Sequence, residues 1–534
     1  MAVRLKLSQT LAAAVVAGSM VGIAGYALTP PASAAAMAGS DGPKNQGTPM
    51  PQQKGDAALG REVFRFETFG NEGFWTDAVR LPAGMAAAKV TPLQALQLGL
   101  QVDADRIDGA TKSQLAEQLR ADPTGRSSSI LNDPKMTTKL VMAGAVIGMS
   151  PKNGKVGTSC ALCHTMSDAS VFKVAEGGSI GRRLDGLANH DLNLGKIFAT
   201  AANTRALYTI AQLQLKANKG KTLGRAPRGL TETSTEAEFD AYFSNPKYYP
   251  VGMFDDTFDG NGDPMHNSPL FRQDLAAPYA SEGSITKIDD FSNLVYTALF
   301  DQTMLTTPGG RAFVHTLAGA AGDEMVDNYV KVLRDTGVTG YPYVIAQARK
   351  TGKPGAQATP VGFRVDNRKL LALNAYLSAL PAPAGVVKDR AAFTRGRNAF
   401  RTVGCTSCHN EDQSRPVPTT IHPMAQIFPG DRPVILAQRK PPLNPIMNTP
   451  SSFFDDKWAV LNASVRGEKR GVAMPLLLDL ARKPVFLHDD SVPSLEALLN
   501  PSRGPKAPHP FYLSSSAQRA DMVAYLQGLD TKTR

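Results

Sequence analysis

Cys160-Ala-Leu-Cys163-His164 and Cys405-Thr-Ser-Cys408-His409 together hold every cysteine of this 534-residue chain. Cys-x-x-Cys followed directly by His is the pattern of covalent c-type haem attachment. Two thiols at this spacing can add across the two vinyl groups of one porphyrin. The imidazole that follows then lies under the iron as proximal ligand. Cys-x-x-Cys also serves as a redox dithiol or as half of a zinc site, and a combined four-cysteine zinc site is the structural alternative. That alternative leaves His164 and His409 without a role. The spacing therefore predicts two covalently bound haem c groups. Cys160, Cys163, Cys405 and Cys408 are the thioether anchors, and His164 and His409 are the proximal iron ligands.

The amino terminus points to the compartment in which haem c is assembled, outside the cytoplasm. Residues 1–34 carry Arg4 and Lys6, an apolar stretch from Leu11 to Leu28, and the small-residue cleavage signal Ala32-Ser33-Ala34. The apolar stretch approaches the ~18 residues of a membrane span. Its alanine-rich composition, Pro30-Pro31 and the cleavage signal favour a removed signal peptide. Leu140 to Met149 is too short to cross a bilayer. The mature chain is thus expected to be periplasmic or otherwise exported, with no transmembrane segment.

The net charge of the whole chain is +11. For an exported haem protein this argues against nucleic acid as partner and for docking to an acidic redox protein. A generally basic surface accounts for it equally well. The densest basic run is Lys216, Lys219, Lys221, Arg225 and Arg228, set among Gly and Pro, which reads as a solvated loop.

Residues 35–60 read as a flexible leader rich in Gly, Pro and Gln. Residues 61–132 read as a helical extension, in which Thr91-Pro92 is a helix start. The first haem region runs over 133–380, the linker Pro381-Ala-Pro-Ala-Gly385 lies within 381–387, and the second haem region covers 388–534. Each haem region closes on a similar helix, Leu370 to Leu380 and Ala520 to Leu529, with Tyr376 and Tyr525 followed by Leu. A helix carrying Phe393, Gly396 and Phe400 on one face precedes Cys405.

This order resembles class I cytochrome c, in which an N-terminal helix with Gly and Phe crosses a C-terminal helix with an aromatic. The resemblance implies that Gly396 sits at the crossing and that Tyr525 packs on it. The expected fold is mostly α: two cytochrome c-like helical haem domains, the first with a long insertion, plus an N-terminal helical extension. A second repeat supports duplication of one module. Pro269 to Pro278 matches Pro475 to Pro484, and Ser284-Ile285 is matched by Ser491-Val492.

The sixth iron ligand decides the function class, because an iron with two strong axial ligands passes single electrons and an open iron can bind peroxide or oxygen. For the second haem there are two candidates. Met474 precedes Pro475, a common context for the distal ligand in class I cytochromes c. His488 lies in Pro484-Val-Phe-Leu-His488-Asp-Asp-Ser. That segment resembles Pro-Tyr-Phe-His-Asp-Gly of the bacterial dihaem cytochrome c peroxidases, whose general layout the rubber oxygenases share. In those peroxidases a methionine about one helix later ligates the electron-entry haem. Here that position falls near Ser502, with no methionine close by. For the first haem, Ser268 stands where the second copy has Met474, and His190, Met253, Met265, His266, Met304 and His315 are open alternatives.

The run Asp255 to Asp263 is oxygen-rich, and calcium is a possible occupant. It lacks EF-hand spacing, since His266 falls where the bidentate Glu belongs, and a turn-rich loop is the plainer reading. Trp75 and Trp458 read as core residues. The resemblance implies an exported dihaem c-type cytochrome that transfers electrons to or from a partner protein. The alternative is a dihaem peroxidase or oxygenase with one five-coordinate catalytic haem and one electron-transfer haem.

Overall fold

A computed structural model describes residues 54–534 apart from 221–224, 257, 259, 261, 263, 281–284, 350–357, 419–420, 424–470, 488–489, 491, 506, 508 and 533–534. Helices are the main regular structure of the described residues, beside small two- and three-stranded sheets.

Two helix pairs frame the molecule. Helix α1 (Ala57–Phe66) starts at Asp56, whose carboxylate accepts from the amides of Ala58 and Leu59. A short turn, α2 (Ala161–His164), carries the first haem motif. Further along come α3 (Ile288–Leu294) and the long α4 (Pro308–Asp335), which breaks at Gly319 with φ +56°. Helix α5 (Asn367–Ala379) returns to pack on α1. Helix α6 (Arg390–Thr402) leads to the second motif, and α7 (Leu495–Leu498) and α8 (Ser516–Gln527) close the chain, with α8 packed on α6.

The two pairs are built alike. Gly396 of α6 meets α8 so closely that a β-carbon there would lie 2.0 Å from the Asp521 carbonyl and 2.7 Å from Cβ of Tyr525. The Tyr525 ring is fully buried between Phe393 and Phe400, 5.2 Å from each centroid. In the first pair, a β-carbon on Gly60 would lie 1.9 Å from the Ala372 carbonyl and 2.7 Å from Cβ of Tyr376. Phe64 packs against Tyr376, ring centroids 5.6 Å apart and tilted by 52°. The second repeat is structural too: Tyr279 bridges Ile285 just before α3, and Phe486 bridges Val492 just before α7.

Helix α1 runs through the expected 60/61 boundary. Residues 61–132 contribute to the same apolar core as residues 133–380. Val63 and Phe64 share one apolar core with residues as distant as Leu377. Strand β1 (Val102–Asp103) pairs in parallel with β6 (Ser179–Gly181), which pairs with β5 (Phe172–Lys173). A single sheet therefore joins the 61–132 segment to the first motif's surroundings. Phe393, Phe400, Met522, Tyr525 and their neighbours form the second core.

Close backbone approach makes Gly396 sensitive. Gly396→Val should destabilise the α6–α8 pair by about 3 kcal/mol or more, because overpacking at a helix crossing cannot relax without separating the helices. Thermal unfolding checks this, with Gly109→Ala as control, since no atom lies within 4 Å of a β-carbon at Gly109.

Candidate haem centres

The first motif is delivered by a hairpin, β2 (Met149–Lys152) and β3 (Lys155–Thr158). Ser159 then donates through Oγ to the Arg65 carbonyl at 2.8 Å, which ties the motif to α1. Gly148, at φ +80°, lies against the backbone of Leu162, so only glycine fits there. The residues Cys160, Ala161 and Leu162 are buried. A π-turn over Val295–Leu299 places the Tyr296 hydroxyl 3.3 Å from Cys160 Sγ. Burial pushes the Cys160 and Cys163 thiols up to about 11 and about 12, so both rest as S–H.

His164 Nδ1 donates to the Ser268 carbonyl at 2.6 Å. That bond fixes the tautomer and leaves the Nε2 lone pair free for a metal. Burial lowers the His164 pKa to about 4, against the smaller opposing effect of the Ser268 bond. The ring is therefore neutral at pH 7, the state that ligates iron. Beyond the motif, β4 (Thr165–Ser167) pairs with β7 (Arg183–Asp185). Asp185 accepts from Thr165 Oγ1 at 3.1 Å, from Arg65 at 2.6 Å and from the Tyr376 hydroxyl at 2.6 Å. One carboxylate thus joins the motif to both helices of the first pair.

The second motif follows α6 through Gly404, at φ +87°. Here Cys405 and Cys408 are partly exposed, and Thr406 and Ser407 face solvent. Across from His409 lies a residue that the sequence reading missed. The His509 ring is 6.3 Å from the His409 ring, centroid to centroid, at 51°. Metal–imidazole bonds of about 2 Å on either side of one ion, with the ring radii added, give a separation of roughly 6 Å. The Nδ1 of His509 is buried without a hydrogen-bond partner among the described residues. Burial also lowers the His509 pKa to about 4. The loop before α8 holds the ring in place. Leu513 N–H donates to the Leu499 carbonyl at 3.0 Å, the Tyr512 hydroxyl to the Gly504 carbonyl at 2.6 Å, and Phe511 packs on His509 at 4.9 Å. The donor set at both motifs, imidazoles and thiols at the haem spacing, fits a haem c.

The other candidates fall out as follows. Met474 is buried, and it occupies the repeat position of Ser268, whose carbonyl accepts from His164 Nδ1. His488 and Trp458 lie outside the described residues. His315 is on the surface, paired with Asp323 at 2.8 Å, and Met253 and Met304 are buried. His190 and His266 face each other. The Asp255 loop is only partly described, and among the described residues no three His, Cys, Asp or Glu gather as a metal site. Trp75 is buried and stacks on Phe198 at 5.9 Å. In the basic loop, the amides of Lys216 and Ala217 donate to Glu324 at 2.9 and 2.8 Å, which anchors its start. The clue to His509 was available in the sequence. It lies seven positions beyond Ser502, in the loop where the peroxidases carry their methionine.

No family model and no curated protein sequence matches the chain. Among solved structures, a xenon-pressurised hydrazine synthase from Kuenenia stuttgartiensis is similar at 16% identity, over 51% of this chain and 74% of that one, with a TM-score of 0.24. So low a TM-score carries no argument about function.

The neutral histidines set an acid limit. A buried histidine whose folded pKa lies near 4, against 6.5 unfolded, leaves stability intact above pH 6.5 and lowers it as pH falls from 6.5 towards 4. In the haem-free chain, denaturant midpoints should therefore be flat from pH 8 to 7 and fall between pH 6 and 4. A flat profile down to pH 4 would count against this burial.

Proposed function

We propose that this chain is an exported dihaem c-type cytochrome that transfers electrons through two covalently bound haems. The observation that carries the reading is the pairing of His409 with His509 beside a complete Cys-x-x-Cys-His motif, in a frame that the first motif repeats. Cys160, Cys163 and His164 would hold one haem, and Cys405, Cys408, His409 and His509 the other. Bound there, the iron would supply one-electron exchange. The protein's part is to keep His164 and His509 neutral, to aim His164 through Ser268, and to bury the first centre. Intact mass should exceed the polypeptide by two haems, and the haem should stay on the chain in a denaturing gel. A shift of one haem, or extraction by acid acetone, would sink the proposal.

A second reading, a dihaem peroxidase or oxygenase, has one observation in its favour. The stretch from Arg349 to Asp366, which precedes α5 as the His509 loop precedes α8, contains no histidine or methionine. The first iron would then lack the counterpart of His509. A five-coordinate high-spin signal from one haem of the oxidised protein supports the enzyme, and two low-spin signals support the carrier.

Export is part of the proposal. It rests on the leader sequence and on the need to attach haem c outside the cytoplasm. Terminal sequencing of purified protein should begin near Ala35, whereas an intact Met1 with membrane retention would refute cleavage. Among the described residues no helix is long and apolar enough to cross a membrane. The proposed partner is an acidic redox protein, in keeping with the net charge of +11.

A further inference from the structure

We propose that Lys216, Lys219, Arg225 and Arg228 form a docking face for an acidic redox protein on the side of the first haem motif. The proposal rests on the dihaem reading for the electron that crosses the face, and not for the docking itself. All four side chains are exposed. Arg228 pairs with Glu238 at 3.0 Å, and among the described residues Lys216, Lys219 and Arg225 have no carboxylate partner. The two arms that carry them are locked together at the base. Gln212 is fully buried; its side-chain N–H donates to the Ala226 carbonyl at 2.7 Å, and its side-chain oxygen accepts from the Ala226 amide at 2.9 Å. Gln214 N–H donates to the Leu230 carbonyl at 2.9 Å, and Leu230 N–H to the Gln212 carbonyl at 2.8 Å. On the first arm, the Glu324 carboxylate of α4 accepts from the amides of Lys216 and Ala217. Lys219 then turns back at φ +54°, and Gly220 N–H reaches the Leu215 carbonyl at 3.0 Å.

Glycine, proline and lysine would leave such a stretch loose in water. Here a buried glutamine and a glutamate fix adjacent arms that carry unpaired like charges, against their mutual repulsion. The backbone under the cations is already ordered when a partner arrives, which lowers the cost of binding. Opposite charge selects an acidic surface and speeds the encounter. The face also leads inward. Gln212 N–H donates to the Tyr242 hydroxyl at 3.1 Å. Tyr242, Phe243 and Tyr249 follow ring on ring, with centroids 5.1 and 5.3 Å apart. Just past Tyr249, Gly252 N–H donates to the Leu192 carbonyl at 2.8 Å, and Asn189 N–H of the same turn donates to the Cys163 carbonyl at 2.8 Å. A packed aromatic column thus runs from the base of the cationic arms to the first motif.

The test mixes the full-length holoprotein with a reduced plant-type ferredoxin, a small acidic electron donor, and follows haem reduction by stopped flow from low to high salt. In the parent the rate should fall roughly tenfold or more as salt rises, the mark of steering between opposite charges. Lys219→Glu combined with Arg225→Glu should start near the slow high-salt rate and lose the salt dependence. Arg120→Glu with Lys135→Glu makes the same change of charge on exposed residues elsewhere in the chain and should behave as the parent. A parent rate indifferent to salt overturns the proposal. So does a control pair that slows as much as the loop pair. Loss of binding to phosphatidylserine vesicles in the loop pair, with its ferredoxin kinetics unchanged, overturns it in favour of a membrane surface. Covalent haem is counted separately by mass. If none is present, the dihaem reading fails alone. The face is then judged by calorimetric binding of ferredoxin to the same chains, expected in the parent and the control pair and lost in the loop pair. No binding to the parent overturns the face as well.

Discussion

His509→Ala should leave the second haem covalently attached and turn its iron from low-spin to high-spin. On the proposed reading His509, 6.3 Å from His409, is the sixth donor, and alanine offers no replacement. In the resonance spectrum of the oxidised protein, one low-spin species should disappear completely and a high-spin signal of equal intensity should replace it. Added imidazole should restore the low-spin form by filling the space. Met474→Ala should leave the spectrum unchanged, since Met474 sits at the repeat position of Ser268, whose carbonyl accepts from His164 Nδ1. The opposite pattern, a high-spin iron in Met474→Ala and none in His509→Ala, would restore methionine ligation. Two imidazoles give a lower potential than histidine with methionine, so the result also decides which partners the second haem can reduce.

Arg364→Ala should cost about 3–5 kcal/mol, the usual consequence of leaving buried carboxylates without their cation. The Arg364 guanidinium is buried and bonds Asp290 at 2.7 Å and Asp289 at 2.5 Å, both at the start of α3. It also reaches the Asn367 side chain at 2.8 Å at the start of α5. Burial and the neighbouring Asp289 already raise the Asp290 pKa. Without Arg364 the Asp290 carboxyl would rise further above its unfolded value. An acid with a raised folded pKa loses stability as pH rises through that pKa. The deficit of the variant should therefore be larger at pH 7 than at pH 4.5, as read from urea midpoints. An equal deficit at both would mean that lost packing, not stranded charge, is the cause.

Part of the candidate site was legible because both Cys-x-x-Cys-His motifs are contiguous in the sequence. Cys160 to His164 and Cys405 to His409 need no tertiary information. The α6–α8 crossing was legible too, since Gly396, Phe393, Phe400 and Tyr525 repeat at helical spacing. What escaped was set by contacts between distant segments. His509 sits in an irregular, proline-rich loop a hundred positions beyond His409, and loop positions carry no periodic signal. Met474-Pro475 offered a local pattern in its place. Helix α1 was divided between leader and extension because nothing near Gly60 announces its partner. Only the fold brings Gly60 against Tyr376, across an insertion that holds the first motif.

The two motifs also differ in how long they remain reachable while the chain folds. Cys160 ends up enclosed by Ala161, Leu162 and Tyr296, all buried, whereas Thr406 and Ser407 stay in solvent between Cys405 and Cys408. An attachment machinery must grip a motif from outside. If haem is attached as proposed, work on the buried Cys160 would have to finish before α5 returns to α1 and shuts the first core, while the half-exposed Cys405 and Cys408 could still be served afterwards. Attachment would then have an order built into the fold, with the inner centre first and the outer one last.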